Sequence, residues 1–449
     1  MHKYLQLLND LEMLIGERPY KEGERLPSIR ALAQQYRCSK STVIRAMDEL
    51  EKRHMIYSVP KSGYYVVKRI KARKEEGSQV IDFATSAPDP DVFPYLDFQH
   101  CINKAIDTYK NDLFIYGMPQ GLSSLIQVVQ QQLTNYQVFT SERNIFITSG
   151  VQQALSLLTM IPFPNQKKKI VIEQPGYHLF IEHLEIHKCP VIGIKRTAKG
   201  IDLQELERIF QTEDIKFFYA IPRFHNPLGT CYTKEEKIKI VELAQKYDVF
   251  IVEDDQMADL EQDSKADPLY AYDTSSRVIY LKSYSKIIFP GMRIGVAVIP
   301  DALVDMFNQY KKLLDIDSSM LSQGALEIYL KSGMFERHKQ KIRSAYARRA
   351  KIMAASLTQQ SERSGGIFTY HATKQPCVHT HILLDKKVSL PQMMARLKKQ
   401  SILLDPIDKH YLSFFPKEKI VKLNVSNVKE EDIERGIEQL VKELKRVFC

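Results

Sequence analysis

The sequence predicts an α/β fold with more than one domain. Its 449 residues exceed what one ordinary hydrophobic core holds, so two or three domains are expected. From Val80 onward, short apolar runs alternate with segments of helical periodicity, which is typical of a doubly wound parallel sheet covered by helices. Residues 1–67 differ, because they predict short helices followed by a hairpin.

The charge distribution favours a polyanionic partner for the N-terminal part. The chain has a formal net charge of +10, and residues 26–74 alone contain twelve cations and three anions. A basic segment on a nearly balanced remainder indicates nucleic acid binding more than membrane binding, because no large amphipathic face accompanies it. A solvated charged face is the alternative interpretation.

The sequence argues against a membrane or metal-binding protein. No apolar run is long enough to span a bilayer, and the first residues lack the apolar centre of a signal peptide. We therefore expect a cytoplasmic protein. The six cysteines show no C-x-x-C spacing, so we expect reduced thiols and no metal site.

Residues 1–67 predict a winged helix-turn-helix. Leucines at positions 5, 8, 11 and 14 predict a helix over residues 4–15. Ser28 can cap a short second helix, and Ser39 can cap a third over residues 40–52. The runs 56–59 and 64–67 predict a hairpin with a basic tip. In this layout the third helix enters the DNA major groove, and the hairpin is the wing.

This segment resembles the winged-helix domain of the GntR family of bacterial transcription regulators. The matching motifs are Gly23-x-x-Leu26-Pro27-Ser28-x-Arg30-x-Leu32-Ala33, Ser39-Lys40-x-Thr42-Val43-x-x-Ala46 and Ser62-Gly63-Tyr64-x-Val66. The resemblance implies that double-stranded DNA is contacted by Arg30, Ser39, Lys40, Ser41, Thr42, Arg45, Lys61 and Gly63. Lys40 stands where the family usually has arginine, and Lys61 stands where it often has glycine. Because both changes keep or add positive charge, they affect which DNA sequence is recognised and not whether DNA is bound. A winged helix that docks on protein is the alternative.

A basic linker over residues 68–79 is predicted to lead into a second part, residues 80–449. Its predicted strands are residues 144–148, 169–173, 190–194, 215–220 and 249–253, and its predicted helices include residues 151–160, 203–210 and 234–247. The ligands of a parallel α/β sheet bind at the carboxyl ends of its strands. Residues that follow these strands are therefore the candidate site.

The stretch from Ser283 to Gly295 carries the strongest chemical signal. Lys286 follows an apolar run and two serines, and Arg293 comes seven residues later. A lysine amine forms a Schiff base with an aldehyde, while a serine hydroxyl and an arginine fork suit a phosphate. Pyridoxal phosphate carries both groups. A surface loop after a strand is the alternative interpretation.

Four other strand ends supply residues that suit the same cofactor. Gly150 and Val151 open a helix whose free amides suit a phosphate. Tyr177 could stack on a flat ring, and Asn226 offers an amide to a phenolic oxygen. Asp254 could pair with a protonated pyridine nitrogen. Taken singly, a core tyrosine and an exposed acidic turn are equally good interpretations of Tyr177 and Asp254.

Together these motifs resemble the fold type I aminotransferases, and most of all the MocR-type regulators, which join a GntR-like winged helix to an aminotransferase-like part with large and small domains. The resemblance implies that Lys286 binds pyridoxal 5'-phosphate covalently and that Asp254 holds the pyridine nitrogen. It assigns the remaining cofactor contacts to Gly150, Val151, Ser283 and Arg293 at the phosphate, Asn226 at the ring oxygen and Tyr177 stacked on the ring. Tyr116 matches a tyrosine that reaches the partner subunit's phosphate, which implies a homodimer.

The last part, mainly residues 318–449, resembles the small domain of these proteins and departs from them at one position. Lys422 stands where the family normally has the arginine that clamps a substrate carboxylate. Because lysine cannot form a bidentate fork, binding of an α-carboxylate is expected to be weaker or different.

Three functions follow from these residues. The leading hypothesis is a DNA-binding, pyridoxal phosphate-binding regulator whose Lys286 Schiff base senses an amine or amino acid effector. The second is a working aminotransferase that carries a DNA-binding module, which Lys422 disfavours. The third is a sensor of pyridoxal phosphate itself.

Overall fold

The computed structural model describes residues 3–16, 23–52, 55–59, 62–67, 80–263, 266–373, 375, 377–405 and 407–448. The chain divides into two compact units, one within residues 1–78 and the other within residues 79–449. The predicted linker, residues 68–79, lies outside the described residues.

The first unit is a three-helix module followed by a hairpin. Its elements are α1 (Lys3–Gly16), α2 (Ile29–Gln35), α3 (Lys40–Lys52), β1 (Ile56–Val59) and β2 (Gly63–Val66). The Ser28 hydroxyl accepts the Ala31 amide at the start of α2, as predicted. The strands pair antiparallel from Ile56 opposite Val66 to Val59 opposite Gly63. The predicted winged helix-turn-helix is confirmed.

A small apolar core holds this unit together. The apolar face of α3 is buried, and it packs with leucines of α1 and with the ends of the hairpin. The buried residues are Leu7, Leu8, Leu11, Ile15, Leu26, Leu32, Val43, Ala46, Met47, Leu50, Ile56 and Val66. Burial of both α1 and the hairpin against α3 fixes the orientation of that helix.

The second unit is built around an eight-stranded sheet. Its first strands are β3 (Ile81–Asp82), β4 (Ile145–Thr148), β5 (Lys169–Gln174), β6 (Val191–Thr197), β7 (Gly200–Ile201), β8 (Ile215–Ala220), β9 (Phe250–Asp255), β10 (Val278–Ser283) and β11 (Gly295–Val298). The order in the large sheet is β4-β11-β10-β9-β8-β5-β6-β7. All five predicted strands are present.

The five predicted strands run parallel to one another, and two further strands of the large sheet run antiparallel. The run β6, β5, β8, β9 and β10 is parallel, but β11 pairs antiparallel with both β4 and β10, and β7 pairs antiparallel with β6. Parallel neighbours need a crossover of a dozen or more residues. The connections before β7 and β11 are shorter than that, so those strands return antiparallel.

Helices cover this sheet. They are α4 (Tyr95–Tyr109), α5 (Ser123–Thr134), α6 (Val151–Met160), α7 (His178–Ile186), α8 (Leu203–Thr212), α9 (Lys234–Lys246) and α10 (Asp301–Leu314). The three predicted helices are confirmed as α6, α8 and α9. Thr233 and Glu236 form a capping box at the start of α9. Short 3₁₀ turns occupy Lys110–Phe114, Glu142–Asn144, Ala258–Leu260, Leu269–Tyr272, Pro290–Met292 and Asp408–His410.

The C-terminal part adds a three-stranded antiparallel sheet and four helices. Its elements are α11 (Met320–Lys331), α12 (Met334–Glu362), β12 (Phe368–Thr369), β13 (His379–Leu384), α13 (Leu390–Lys399), β14 (Ile402–Leu403), β15 (Ile420–Asn424) and α14 (Glu430–Phe448). The small sheet has the order β12-β13-β15. The strand β3 pairs with β14, so the start of the second unit packs with its end. Among the described residues, no helix is both long and apolar enough to cross a membrane.

Candidate functional site

Three adjacent strand termini form the floor of the candidate cofactor site. Gly295 of β11 lies opposite Thr148 of β4 on one side and opposite Ser283 of β10 on the other. The Gly150–Val151 turn, the Lys286 loop and Arg293 therefore start from neighbouring points on one sheet edge. The predicted site residues that follow β4 and β10 are thus brought together by strand register.

The turn at Gly150 lets the Arg293 guanidinium approach the start of α6 closely. Gly150 has a φ of +83°, and a Cβ atom there would lie 2.7 Å from Arg293 Nη2. A Cβ atom on Gly295 would lie 2.8 Å from the backbone of Gly150 and Val151. Arg293 Nη2 donates to the Ser149 carbonyl at 3.0 Å. A helix N-terminus with an adjacent guanidinium suits a phosphate dianion.

Asp254 is the only one of three consecutive acidic residues with an uncommitted oxygen among the described residues. Glu253 accepts hydrogen bonds from the Leu269 and Tyr270 amides, and Asp255 pairs with Arg223. Asp254 points to the opposite face of β9 from both, because side chains alternate along a strand. The exposed acidic turn considered from the sequence is wrong, since all three side chains are buried.

The Asp254 carboxylate is half satisfied. Its Oδ2 accepts a 2.7 Å hydrogen bond from the Tyr219 hydroxyl, while its buried Oδ1 has no partner among the described residues. Burial raises the pKa of Asp254 to about 7, although the Tyr219 hydrogen bond lowers it. A buried carboxylate of this kind is stabilised by a cationic partner, which a protonated ring nitrogen would be.

Lys286 lies near Asp254, because the charge of each acts on the pKa of the other. Its amine donates to the Ser86 carbonyl at 2.8 Å. Burial lowers the pKa of Lys286, and the charge of Asp254 opposes that shift. A lowered pKa favours the neutral amine, which is the nucleophilic form.

Tyr177 lies close to Asp254, and Asn226 follows β8, the strand that pairs with β9. Tyr177 is half-buried, and burial together with the Asp254 charge raises the pKa of its phenol, while Arg293 lowers it. These electrostatic couplings put the Tyr177 hydroxyl near both Asp254 and Arg293. Asn226 is buried in the loop after β8, and its Oδ1 has no partner among the described residues. Both positions suit contacts to a ring.

Lys422 is buried on β15, with 3% of its surface exposed. Burial lowers the pKa of Lys422 to about 8, against Asp405, which raises it. Lys286 is among the charges that act on it, so the two lysines face a common space. The structure therefore brings this cation close to Lys286, and its contact with a substrate carboxylate stays a prediction.

Tyr116 points away from the site of its own chain. Its side chain is 80% exposed, and it belongs to an apolar exposed run with Phe114, Ile115 and Met118. An aromatic run of this kind on a surface marks an interaction face. The contact of Tyr116 with a partner subunit stays a prediction.

Most of the predicted DNA contacts are exposed in the first unit. Arg30, Lys40, Ser41 and Arg45 are exposed. Ser39 accepts the Thr42 amide at 3.1 Å, and its hydroxyl also contacts those of Ser41 and Thr42 at 2.7 and 2.8 Å. The start of α3 is therefore a rigid polar turn flanked by cations.

The wing adds a cation that the sequence reasoning missed. Gly63 has a φ of +127°, and a Cβ atom there would lie 3.2 Å from Arg25 Nε. Arg25 also forms an isolated bridge with Tyr65. Its only sequence signal is its place inside the Gly23-x-x-Leu26 motif. Lys61, predicted at the wing tip, lies outside the described residues.

The second unit also contains site residues that sequence reasoning missed. Tyr219 fixes Asp254, Ser86 holds Lys286, and His178 and His410 lie beside Tyr177 and Gly176. His178 directly follows Tyr177 in sequence, which was an available signal. Ser86 and His410 are more than a hundred residues from their partners, so only the fold reveals them.

Comparison with known proteins identifies the family. A family model for aminotransferase class I and II matches residues 78–440, and one for bacterial regulatory proteins of the gntR family matches residues 3–66. A Bacillus subtilis (strain 168) protein named "Uncharacterized HTH-type transcriptional regulator YcxD" is 60% identical, covering 99% of this chain and 100% of that protein. The chain belongs to the MocR-type GntR-family regulators.

This MocR-type regulator is also similar to solved aminotransferases. The structure of Pyrococcus horikoshii kynurenine aminotransferase with PMP superposes at a TM-score of 0.74 and 26% identity, covering 83% of this chain and 92% of that one. A multiple substrate aminotransferase from Thermococcus profundus matches at 0.74 and 25% identity, covering 85% and 96%. The aromatic-amino-acid aminotransferase 1 of Thermococcus litoralis is 28% identical over 82% of this chain and 89% of that protein.

Proposed function

We propose that this MocR-type regulator binds pyridoxal 5'-phosphate at Lys286 and senses an amine or amino acid there to control transcription. The observation that carries the proposal is the proximity of Lys286 to a half-satisfied Asp254. Buried carboxylate oxygens in a protein core normally accept a hydrogen bond, so the unpartnered oxygen of Asp254 indicates a missing donor. A protonated pyridine nitrogen supplies that donor.

The other residues fit the rest of the same cofactor. The Gly150–Val151 turn and Arg293 would hold its phosphate, with Ser283 beside them. Tyr177 would stack on the ring and Asn226 would donate to the ring oxygen. When bound, the cofactor supplies an electrophilic carbon for amines and an electron sink. The chain's own residues would orient the ring, and burial of Lys286 favours its neutral amine.

The two units give the protein two kinds of partner. Double-stranded DNA is the proposed partner of the first unit, with Lys40 and Arg45 on the groove-facing helix. The exposed run around Tyr116 supports a homodimer, which would present two winged helices to two half-sites. A DNA partner places the protein in the cytoplasm.

A working aminotransferase is the second candidate, because relatives of the second unit include named aminotransferases and Lys286, Asp254 and Arg293 are all present. Lys422 argues against ordinary amino acid turnover, since it cannot form the bidentate carboxylate contact of an arginine. A sensor of the cofactor alone would need Lys286 but no amine site.

A titration of the purified full chain separates these functions. The cofactor absorption band is followed while candidate amines are added, with and without an oxo-acid acceptor. A regulator predicts a saturable spectral change without continued turnover, whereas an aminotransferase predicts turnover, and a cofactor sensor predicts no response to amines. Absence of the band in wild type, or its persistence with the same spectrum in Lys286→Ala, would contradict covalent binding at Lys286.

A further inference from the structure

Two histidines of the small sheet hold the loop that carries Asn226. His379 and His381 are two positions apart on β13, so their side chains leave the same face of that strand. The His379 Nε2 lies 3.0 Å from the His225 carbonyl oxygen. The His381 Nδ1 lies 2.9 Å from the Leu228 carbonyl oxygen. The two rings therefore reach the loop on either side of Asn226.

The partners of these histidines fix which ring nitrogen carries the hydrogen. A carbonyl oxygen only accepts, so His379 carries its hydrogen on Nε2 and His381 carries its hydrogen on Nδ1. The Nδ1 of His379 is then an acceptor, and the Cys377 thiol lies 3.5 Å from it as the donor. Both nitrogens of His379 are therefore engaged, which fixes the plane of its ring.

The His379 hydrogen bond acts on the direction of Asn226 through the peptide bond. The peptide group is planar, so the His225 carbonyl oxygen and the Asn226 Cα lie in one plane. A donor that fixes this oxygen also fixes the plane from which the Asn226 side chain departs. The Asn226 Oδ1 has no hydrogen-bond partner among the described residues, so the direction of the amide depends on this backbone.

The other side of the loop is held by the large sheet. The His225 ring is buried, and its Nε2 lies 3.4 Å from Glu173 Oε2 at the end of β5. The His225 amide donates to the Thr230 carbonyl at 2.8 Å, and the Thr230 hydroxyl accepts from the buried Arg196 at 3.3 Å. The loop is therefore fixed between two sheets, and loss of the contacts to β13 would leave it attached to the large sheet.

The backbone of β13 lies directly against the same loop. Gly229 has a φ of +73°, and a Cβ atom there would overlap the His379 carbonyl oxygen and lie 3.2 Å from the Thr380 Cα. A side chain at this position would push the strand away, so this close approach requires glycine. The spacing between β13 and the loop is thus set by backbone contact, and the two histidines set its orientation.

We propose that His379 and His381 are positioning residues that hold Asn226 in the orientation in which its amide meets the ring oxygen of the cofactor. This inference rests on the proposed function, in which Asn226 donates that hydrogen bond. The two histidines act through the loop backbone and not by contact with the cofactor.

The effect can be measured in the protonation of the bound cofactor. A donor to the ring oxygen stabilises its negative charge most when the neighbouring Schiff base has lost its proton, so the donor lowers the pH midpoint of the absorption change. Asn226→Ala should therefore raise this midpoint by about one pH unit, which is tenfold in the protonation equilibrium. Variants that turn Asn226 away should raise the midpoint by at least about half a unit.

Isosteric amides separate the hydrogen bonds from the bulk of the rings. The amide nitrogen of glutamine takes the place of Nε2 of histidine, and the amide nitrogen of asparagine takes the place of Nδ1. His379→Gln and His381→Asn keep their donors and should keep the wild-type midpoint. The crossed variants His379→Asn and His381→Gln misplace the donors and should raise it. His371→Asn, at an exposed histidine before β13, is the control and should match the wild type.

A double-variant cycle tests whether His379 acts through Asn226. In the Asn226→Ala background, His379→Asn should leave the midpoint where Asn226→Ala alone puts it. Additive shifts would show that His379 acts on the cofactor by another route and would overturn the inference.

Two further results would also overturn it. One is a wild-type midpoint in both crossed variants, and the other is a raised midpoint in either His379→Gln or His381→Asn. The second decides the question even where a crossed variant does not fold, which urea unfolding of each variant shows. Absence of the cofactor band in wild type, or an unchanged midpoint in Asn226→Ala, would instead contradict the proposed function on which the inference rests.

Discussion

The Tyr219 hydroxyl donates a 2.7 Å hydrogen bond to one oxygen of Asp254 and leaves the other oxygen buried without a partner. Tyr219 thereby fixes the orientation of the carboxylate. Asp254 lies on the face of β9 opposite to Glu253 and Asp255, which are fully engaged in the protein interior. Glu253 and Asp255 therefore stabilise the fold, whereas Asp254 keeps one oxygen available for a ligand.

Asp254→Asn should weaken cofactor binding while Lys286 can still react. The amide keeps the shape of the side chain but cannot carry the charge that pairs with a protonated ring nitrogen. Loss of a charged hydrogen bond of about 1.5–3 kcal/mol predicts about a tenfold to hundredfold lower affinity. The measurement is an absorbance titration of cofactor into the cofactor-free protein. Asp202→Asn, at the exposed start of α8, is the control, and equal affinities for the two variants would contradict the role of Asp254.

Gly150→Ala should abolish tight cofactor binding through the phosphate turn. The added methyl would meet the Arg293 guanidinium at 2.7 Å, in addition to the strain of a positive φ. Gly333→Ala is a matched control, because Gly333 has a φ of +73° and open space around its Cβ position. Both variants should lose about 1–2 kcal/mol of stability, measured by chemical unfolding. Only Gly150→Ala should lose at least about tenfold in cofactor affinity, and parallel losses in both would argue against a phosphate site.

Local patterns were sufficient to predict most of the fold and part of the site. The apolar periodicity of α6, α8 and α9 and the polar residues after β4, β9 and β10 are encoded in contiguous segments. The direction of β11 was not predicted, because it depends on whether the chain turns back directly beside β10 or crosses over the sheet first. The Tyr219–Asp254 contact depends on which faces of β8 and β9 meet, and His410 reaches Gly176 across 234 residues.

Lys422 should make effector binding sensitive to alkaline pH. Burial lowers its pKa from the ordinary 10.5 to about 8, so the charge that would hold an effector carboxylate is lost as the pH rises through about 8. Lys422→Arg should keep the positive charge, so its affinity for amino acids should not fall with pH. Titrations with amino acids from about pH 7 to 9.5 measure this difference. An identical alkaline decline in both proteins would exclude Lys422 as the titrating group.

The same shift predicts how stability changes with pH. The folded state binds fewer protons at Lys422 than the unfolded state between about pH 8 and 10.5. The contribution of Lys422 to the free energy of unfolding therefore increases with pH in this window. Lys422→Met should remove that increase in urea unfolding of the cofactor-free protein. A steeper increase in the variant would contradict the assigned sign.

Lys40→Ala and Arg45→Ala should each weaken DNA binding by the first unit within the full chain. Each exposed cation at the start of α3 is expected to neutralise about one phosphate, so the slope of log affinity against log salt should fall by about one. Lys351→Ala, an exposed cation on α12, is the control. Fluorescence anisotropy with a duplex enriched from a random library by the wild-type protein gives both quantities. Unchanged slopes would contradict the groove assignment.

We propose that chemistry at Lys286 controls DNA binding. The most direct measurement is the affinity of the cofactor-loaded full chain for the enriched duplex, with and without an amino acid that changes the cofactor band. We expect a change in affinity for the wild type and none for Lys286→Ala under the same conditions. Equal DNA affinity of the wild type with and without that amino acid would contradict it.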